Sequence, residues 1–267
     1  MSLIETKYGK LYYEIKGRGK KTIMLLHGVA LSSRCFYKQI PLLSKKYKLI
    51  IVDAQGHGKL QREKVLKRPF WSYYKNVSFL MEKLNLKDLI LIGHSGGGGL
   101  AIKLALTYPK RIKALVLVNT SYKLMDNLAR KFFWDAISKL SLNYNDKLRQ
   151  KVSNFLESIF ILINKKIRID KELKLLIEEA NNIPKQLVYY EIRDLEKYNL
   201  KDELKKIKVP TLIIGGKRDF ITPSEMSVEL NEKIPNSELI LFDGGHLLLV
   251  EKNKEVNTKI IKFLEKL

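Results

Sequence analysis

The sequence predicts an α/β protein built on a mostly parallel, eight-stranded, doubly wound sheet with an inserted helical cap. Three observations predict this fold class. Apolar runs of strand length recur along the chain, helix-length segments with apolar residues at 3.6-residue spacing separate them, and one long stretch contains helical patterns only. Continuous apolar runs are typical of strands buried on both faces, and their alternation with helices favours a parallel sheet.

The elements follow in chain order from an initial hairpin pattern. Residues 3–7 and 11–15 flank Tyr8, Gly9 and Lys10, and this predicts an antiparallel hairpin at the sheet edge. Six further strands are predicted at 22–26, 48–52, 89–92, 114–118, 211–214 and 238–242. Helices are predicted at 35–43, 71–84, 98–108, 224–234 and 253–264. With the hairpin, these runs give the eight predicted strands.

The alternation stops between residues 122 and 206, a stretch that we call the cap segment. Roughly four helical patterns follow one another there without a strand between them. No low-complexity linker bounds this stretch. We therefore expect residues 1–121 and 207–267 to form the core and the cap segment to cover one edge of the sheet.

Composition restricts the class of protein. With 267 residues, 45% apolar and 29% charged, the chain is typical of a globular protein, and it has no apolar run long enough for a membrane span. No secretion leader is recognisable, and Cys35 has no disulfide partner. These features predict a cytoplasmic protein in which Cys35 is a buried, apolar-like residue rather than a nucleophile.

The net charge of +22 raises the question of a polyanionic partner. The basic residues are mostly lysines, spread singly or in pairs, and the densest region, 1–68, contains no basic tail or nucleic-acid-binding motif. This distribution favours a solvated basic surface over a specific nucleic-acid site.

A glycine-rich stretch, LILIGHSGGGGLAI at 89–102, allows two interpretations. Gly96, Gly98 and Ala101 match the dinucleotide fingerprint G-x-G-x-x-G/A between a strand and a helix. That fingerprint needs an acidic residue after the next strand to bind a ribose, but the strand at 114–118 is followed by Asn-Thr-Ser. Dinucleotide binding is therefore disfavoured.

The second interpretation is a tight turn that exposes a nucleophilic serine. Gly93, Ser95 and Gly97 match G-x-S-x-G between a strand and a helix. On such a turn the serine has a strained backbone, and its neighbours two positions away are too close to the strand and helix to carry a Cβ. Gly98 and Gly99 exceed this requirement, and either close helix packing or extra room near the serine would explain them.

A serine hydroxyl needs a histidine as its base and a carboxylate to orient that histidine. His246 is the best candidate base because it lies in a loop just after the last predicted strand. Asp219 follows the strand before it and is the favoured carboxylate. Asp243, three residues from His246, is the weaker rival. The resulting chain order is Ser95, Asp219, His246.

The other three histidines and Asp53 are expected to have structural rather than catalytic roles. His94 adjoins Ser95 and is expected to point away from it on so tight a turn. His27 and His57 are expected to be structural loop residues rather than catalytic ones, and Asp53 to fix its loop rather than act as an acid.

With these motifs in place, the chain resembles the capped branch of the α/β-hydrolase fold superfamily over essentially its whole length. The matching segments are Leu26-His27-Gly28, Asp53-Ala54-Gln55-Gly56-His57-Gly58, the turn at Ser95, Val209-Pro210-Thr211 before Asp219, and Gly244-Gly245-His246. The resemblance implies that the backbone N–H groups of Val29 and Gly96 form an oxyanion hole.

Two positions depart from family patterns. Leu60 stands where the loop motif Asp-x-x-Gly-x-Gly-x-Ser often has its serine, and this affects turn bonding more than chemistry. Residue 95 is serine rather than aspartate, which argues against the dehalogenase and epoxide-hydrolase branches, because those enzymes use a carboxylate nucleophile.

The resulting expectation is a serine hydrolase for a small to medium apolar ester or related acyl substrate, with no cofactor and no metal. Candidate substrate-binding residues are His27, Phe132, Phe133, Trp134 and Phe155, together with the apolar run at 159–163. A cofactor-free perhydrolase, a C–C bond hydrolase or an acyltransferase would keep the same triad. From other classes, a non-catalytic ligand receptor and a polyanion-binding scaffold stay open.

Overall fold

The computed structural model describes residues 2–123 and 170–267. Its strands are β1 (Ser2–Thr6), β2 (Gly9–Lys16), β3 (Thr22–Leu26), β4 (Lys48–Ala54), β5 (Leu89–His94), β6 (Ile112–Val118), β7 (Thr211–Gly216) and β8 (Ser237–Phe242). Its α-helices are α1 (Ile40–Leu43), α2 (Pro69–Lys83), α3 (Gly96–Thr107), α4 (Lys171–Asn181), α5 (Lys185–Leu195), α6 (Ser224–Lys233), α7 (Leu248–Glu251) and α8 (Asn253–Glu265).

All eight strands form one sheet in the order β1-β2-β4-β3-β5-β6-β7-β8. The β1–β2 and β2–β4 pairs are antiparallel, and the remaining pairs are parallel. The predicted edge hairpin and the mostly parallel sheet are therefore confirmed. Since the parallel strands share one direction, the loops after β3, β5, β6, β7 and β8 emerge at the same edge, where ligands bind in open α/β sheets.

Apolar side chains pack on both faces of the sheet, as the continuous apolar runs predict. Along β3, Met24 and Leu26 belong to a core shared with α2 and α3, whereas Ile23 and Leu25 belong to a core shared with α8. The alternation follows from the period of two in a strand. Cys35 is buried in the second core, and burial raises the pKa of its thiol well above the usual value.

The prediction of one continuous helix at 35–43 is wrong. The chain instead forms a 3₁₀ turn at Ser33–Phe36 and then the four-residue helix α1. Pro41 lies in the first turn of α1, where its missing N–H costs no helical hydrogen bond. Within a continuous helix, the same proline would remove a hydrogen bond and clash with the preceding turn, so two short pieces form.

The described part of the cap segment comprises α4, α5 and the 3₁₀ helix Lys201–Lys206. Ion pairs of three arginine and lysine residues attach its described part to the core: Arg34–Glu172, Arg34–Glu179, Lys38–Asp170 and Arg68–Asp194. In each pair the cap segment supplies the acid and the core supplies the base. Among the described helices, none has both the length and the apolar composition needed to cross a bilayer.

Candidate active site

A cavity of about 370 Å³ lies between the sheet edge and the described part of the cap segment. Ser95 and Gly96 line it from the β5–α3 turn, and His246 lines it from the loop after β8. Further lining residues are Val29, Ala30 and Leu31 after β3, Ile221 and Thr222 after β7, and Val188, Ile192 and Leu195 on α5. The wall is predominantly apolar, so the cavity suits an uncharged organic ligand with a few polar contacts.

Ser95 occupies the tight turn that its glycine neighbours predict. Its backbone has φ 53° and ψ −124°, outside the regions that non-glycine residues usually adopt. A Cβ on Gly93 would collide with the backbone of Gly97, and a Cβ on Gly97 would collide with the carbonyl of Leu26. The side chain of Ser95 makes no capping hydrogen bond to α3, so its hydroxyl is not engaged by the helix it precedes.

The two additional glycines have different surroundings. A Cβ on Gly98 would lie 2.5 Å from Thr120 Oγ1, and this hydroxyl donates a hydrogen bond to Ser95 O. Gly98 is therefore explained by close packing of α3 against the end of β6. Gly99 lines the cavity, and among the described residues the atom nearest to its added Cβ would be Tyr198 Oη at 3.3 Å. Close helix packing thus explains Gly98, and extra room near the serine explains Gly99.

The loop after β3 reaches the serine as the motif order implies. A Cβ on Gly28 would lie 2.8 Å from Ser95 Cβ, so glycine permits this close approach. A Cβ on Gly96 would lie 3.4 Å from Val29 N, which places the backbone of Val29 beside the first turn of α3. Backbone N–H groups at a helix N-terminus favour negative charge, so this corner suits a developing oxyanion.

Asp219 and His246 form a direct pair, with Asp219 Oδ2 2.8 Å from His246 Nδ1. Asp219 also accepts hydrogen bonds from the N–H groups of Ile221 and Thr222 and from the Thr222 hydroxyl. Burial would raise the pKa of the Asp219 carboxyl, but the charge of His246 and these hydrogen bonds lower it below its usual value. The carboxylate is therefore held ionised next to the imidazole.

Ser95 and His246 line the same cavity, but the structure has no direct hydrogen bond between their side chains. Hydrogen bonds between a nucleophile and its base are often long in the absence of substrate, so we expect the two side chains to approach each other when substrate binds.

Asp243, the rival carboxylate, lies elsewhere. Its side chain is 75% exposed and forms an ion pair with Arg218 Nε at 2.8 Å. The structure therefore pairs Asp219, and not Asp243, with His246.

Two residues that sequence reasoning did not select hold the backbone of His246. Asn119 Nδ2 donates to Gly245 O at 2.8 Å and to His246 O at 2.7 Å, while its Oδ1 accepts the N–H of Gly216. His94 Nε2 lies 2.9 Å from the same His246 carbonyl oxygen, to which it donates. The sequence predicts only that His94 points away from Ser95, and it gives no sign that His94 binds the backbone of His246. Thr222 was also missed, although a threonine three residues after an aspartate is a common local hydrogen-bonding pattern.

His27 does not bind ligand from the cavity wall. It is not among the described lining residues, its ring is buried, and both nitrogens have backbone partners: Nδ1 donates to Gly28 O, and Nε2 accepts the N–H of Ala54. Burial and the nearby His57 lower the pKa of His27 to about 4, so the ring is neutral near pH 7. The substrate-binding assignment is wrong for this residue because its ring bridges two loops inside the protein.

The remaining predicted wall residues, Phe132, Phe133, Trp134 and Phe155, and the run at 159–163 lie outside the described residues. Among the described residues, no group of three or more His, Cys, Asp and Glu side chains is arranged to hold a metal ion.

The fold is that of an α/β-hydrolase, and the sequence profile described as alpha/beta hydrolase fold matches residues 21–253. The chain belongs to this family. It is 27% identical over 263 residues to the uncharacterized hydrolase YugF of Bacillus subtilis (strain 168), covering 96% of this chain and 94% of that protein. It is also 27% identical over 263 residues to the pimeloyl-(acyl-carrier protein) methyl ester esterase of Hamiltonella defensa, with 96% and 97% covered.

The fold resembles that of a hydrolase from Pseudomonas aeruginosa PA01, with a TM-score of 0.84 at 23% identity over 98% of this chain and 97% of the other. This likeness concerns the fold alone.

Proposed function

We propose that the protein is a serine hydrolase that cleaves an ester or related acyl bond through a Ser95-His246-Asp219 triad. The observation that carries the proposal is the 2.8 Å contact between Asp219 and His246 at the wall of a cavity that also exposes Ser95. The strained turn at Ser95 supports the nucleophile role, because such strain persists where surrounding structure maintains it. The family membership supports hydrolytic chemistry.

In the proposed reaction, Ser95 Oγ attacks the substrate carbonyl carbon while His246 Nε2 accepts the hydroxyl proton. Asp219 stabilises the imidazolium and fixes the tautomer that leaves Nε2 free to act as base. The N–H groups of Val29 and Gly96 donate to the oxyanion of the tetrahedral intermediate. The imidazolium then protonates the departing alcohol, and a water molecule, deprotonated by His246, releases the acid from the acyl-enzyme.

The cavity favours a small to medium apolar ester. Its volume of about 370 Å³ is near the lower end of the range of roughly 300–1,000 Å³ for small-molecule sites. Val188, Ile192 and Leu195 supply an aliphatic wall from α5. The relative named as a methyl ester esterase is consistent with cleavage of a carboxylic ester.

The proposal includes the domain division, with the cap segment at 122–206 inserted in a core formed by 1–121 and 207–267. Ala180 and the three α5 residues at the cavity wall support a role of this segment in covering the site. A cytoplasmic location is proposed from the lone cysteine, which has no disulfide partner in the chain.

Labelling with a fluorophosphonate, followed by mass spectrometry of the modified peptide, tests the nucleophile. We expect one adduct on Ser95, and none in Ser95→Ala. The matched control is Ser72→Ala, since Ser72 is a buried serine of α2 outside the cavity. This variant should label like the wild type. Labelling that survives Ser95→Ala would overturn the proposal.

A panel of p-nitrophenyl esters of increasing acyl length tests the substrate class, with turnover expected to rise from acetyl to a medium chain and then fall. Perhydrolase, C–C bond hydrolase and acyltransferase activities on the same triad would give Ser95 labelling with poor ester turnover. A ligand receptor or polyanion-binding scaffold would give no labelling, and the scaffold would also bind nucleic acid with a steep salt dependence.

A further inference from the structure

A buried carboxylate from the cap segment lies against the loop that follows β3. Glu191, on α5, is only 5% exposed. Its Oε1 lies 3.2 Å from His57 Nε2, and its Oε2 accepts the backbone N–H of Ala30 at 3.4 Å. Burial of a carboxylate is costly unless charge and hydrogen-bond partners compensate it, so this side chain requires an explanation.

The groups around His57 show why Glu191 is its acidic partner. Asp53 at the end of β4 is also near, but its two oxygens accept N–H groups from Ser33 and Lys59. The neighbouring His27 ring, 4.9 Å away between centroids, is neutral near pH 7, because burial and the nearby His57 lower its pKa to about 4. Tyr73 of α2 stacks on His27. Burial lowers the pKa of His57, but the carboxylates of Glu191 and Asp53 outweigh it and raise that pKa above its usual value.

The loop that Glu191 contacts is a tight turn with an unusual residue at its third position. Leu31 N–H donates to Gly28 O at 3.3 Å, which closes a four-residue β-turn from Gly28 to Leu31. Ala30 has φ 54°, and a positive φ at the third position is the mark of a type II turn rather than type I. Glycine or asparagine is usual there, because the Cβ of other residues strains the left-handed backbone.

Type I and type II turns differ by a flip of the central peptide, which here joins Val29 to Ala30. The N–H of that peptide donates the hydrogen bond that Glu191 accepts. After a flip, Ala30 would lose its positive φ, and the Val29 carbonyl would turn toward the carboxylate, where like partial charges repel. Glu191 therefore stabilises the turn that the alanine side chain disfavours.

We propose that Glu191 is a positioning residue that anchors the Gly28–Leu31 turn, whose second residue, Val29, carries a proposed oxyanion donor. This inference rests on the proposed function, because it concerns the N–H of Val29 as an oxyanion donor. Without this anchor the turn, and with it the Val29 N–H, would shift, which would weaken stabilisation of the tetrahedral intermediate while leaving the apolar cavity, and thus ground-state binding, largely intact. The cap segment would then complete the catalytic machinery as well as cover it.

A matched pair of variants separates the hydrogen bond from packing. Glu191→Met keeps most of the side-chain volume but has no strong acceptor, whereas Glu191→Gln keeps an oxygen that can accept the Ala30 N–H. We expect Glu191→Met to lower kcat at least tenfold with KM changed less than twofold, and Glu191→Gln to lose clearly less. Inhibition by an alkylboronic acid, which forms a tetrahedral adduct with the serine, should weaken in parallel with kcat.

Two further variants test the turn itself. Ala30→Gly in the Glu191→Met background favours positive φ without help from the carboxylate, and should recover a large part of kcat and of boronate affinity. Asp194→Asn is the control on the same helix, since Asp194 accepts the N–H of Trp71 and pairs with Arg68 without contacting the turn. This control should keep wild-type boronate affinity.

The outcomes are distinct. Unchanged boronate affinity in Glu191→Met, an equal loss in Asp194→Asn, or no recovery with Ala30→Gly would each overturn the positioning role. If Glu191→Met does not fold in a thermal melt, Glu191→Ala with and without Ala30→Gly supplies the same comparison, because alanine also has no acceptor for the Ala30 N–H. A wild-type protein that fluorophosphonate does not label on Ser95 would instead overturn the proposed function, and the oxyanion-hole role with it.

Discussion

Asn119 Nδ2 lies 2.7 Å from the carbonyl oxygen of His246 and connects the end of β6 to the loop that carries the proposed base. The same side chain accepts the N–H of Gly216 at the end of β7. Asn119 has φ 44°, a left-handed conformation that asparagine tolerates better than most residues. One buried amide thus joins three strand ends at the site.

Removal of this amide should affect stability and catalysis together. Asn119→Ala leaves the Gly216 N–H and Gly245 carbonyl without their side-chain partner, at a cost of about 2–4 kcal/mol in the free energy of unfolding. We expect kcat to fall about tenfold because His246 is less well positioned. Urea unfolding and ester kinetics measure both effects. Wild-type stability and kcat in this variant would contradict the role.

The two acidic residues near His246 should differ sharply. Asp219→Asn removes the charge that orients and stabilises the imidazole, and kcat should fall on the order of 10³- to 10⁴-fold. Asp243→Asn is the matched control, because Asp243 is exposed and pairs with Arg218. Its kcat should stay within about twofold of the wild type. Similar losses in both variants would refute the assignment of Asp219.

The third and fourth glycines of the run should respond differently to alanine. Gly98→Ala forces a Cβ to within 2.5 Å of Thr120, so we expect destabilisation of about 1–3 kcal/mol. Gly99→Ala meets no atom of the described residues closer than 3.3 Å and gains helix propensity, so stability should change by less than about 1 kcal/mol. Because Gly99 lines the cavity, its substitution should raise KM for longer esters more than for acetyl esters. Equal destabilisation by both substitutions would contradict this difference.

Acid should destabilise the fold through His94. Burial and the nearby His246 lower the pKa of His94 to about 3, below its usual value of 6.5. Between these values the unfolded chain binds a proton that the folded chain excludes, so stability present above pH 6.5 is lost as the pH falls toward 3. At pH 4 the loss is on the order of 3 kcal/mol.

Urea unfolding at pH 7 and pH 4 measures this loss. His94→Gln removes the titrating ring and keeps a donor for the His246 carbonyl, so its stability should decrease less between the two pH values. An unchanged pH dependence in this variant would show that other groups cause the acid sensitivity.

The strands of the sheet were predictable because each is identified by the residues of its own segment. Apolar runs such as 89–92 and 211–214 identify buried strands without reference to partners, and both lie within strands of the structure. The helix at 35–43 failed because its apolar spacing continues across Pro41, where backbone chemistry overrides side-chain pattern.

The site was predictable only in part. Ser95, Asp219 and His246 follow motifs with strict local spacing, and the structure pairs the last two directly. Asn119 and Glu191 carry no such signal, since their contacts with His246 and Ala30 join residues 127 and 161 positions apart. The misassignment of His27 has the same origin, because a sequence does not distinguish a histidine that lines a cavity from one that is buried next to it.

The ion pairs that attach the cap segment have a practical consequence for handling this protein. Because the net charge is +22, surface variants with fewer basic residues are a natural way to limit adsorption of the protein to nucleic acid or glass. Arg34, Lys38 and Arg68 should be excluded from such libraries, because each is the cationic half of a contact whose anionic half lies on the cap segment. The lysines to neutralise are those on α8 and at the edge hairpin, because none of them pairs with a cap carboxylate among the described residues.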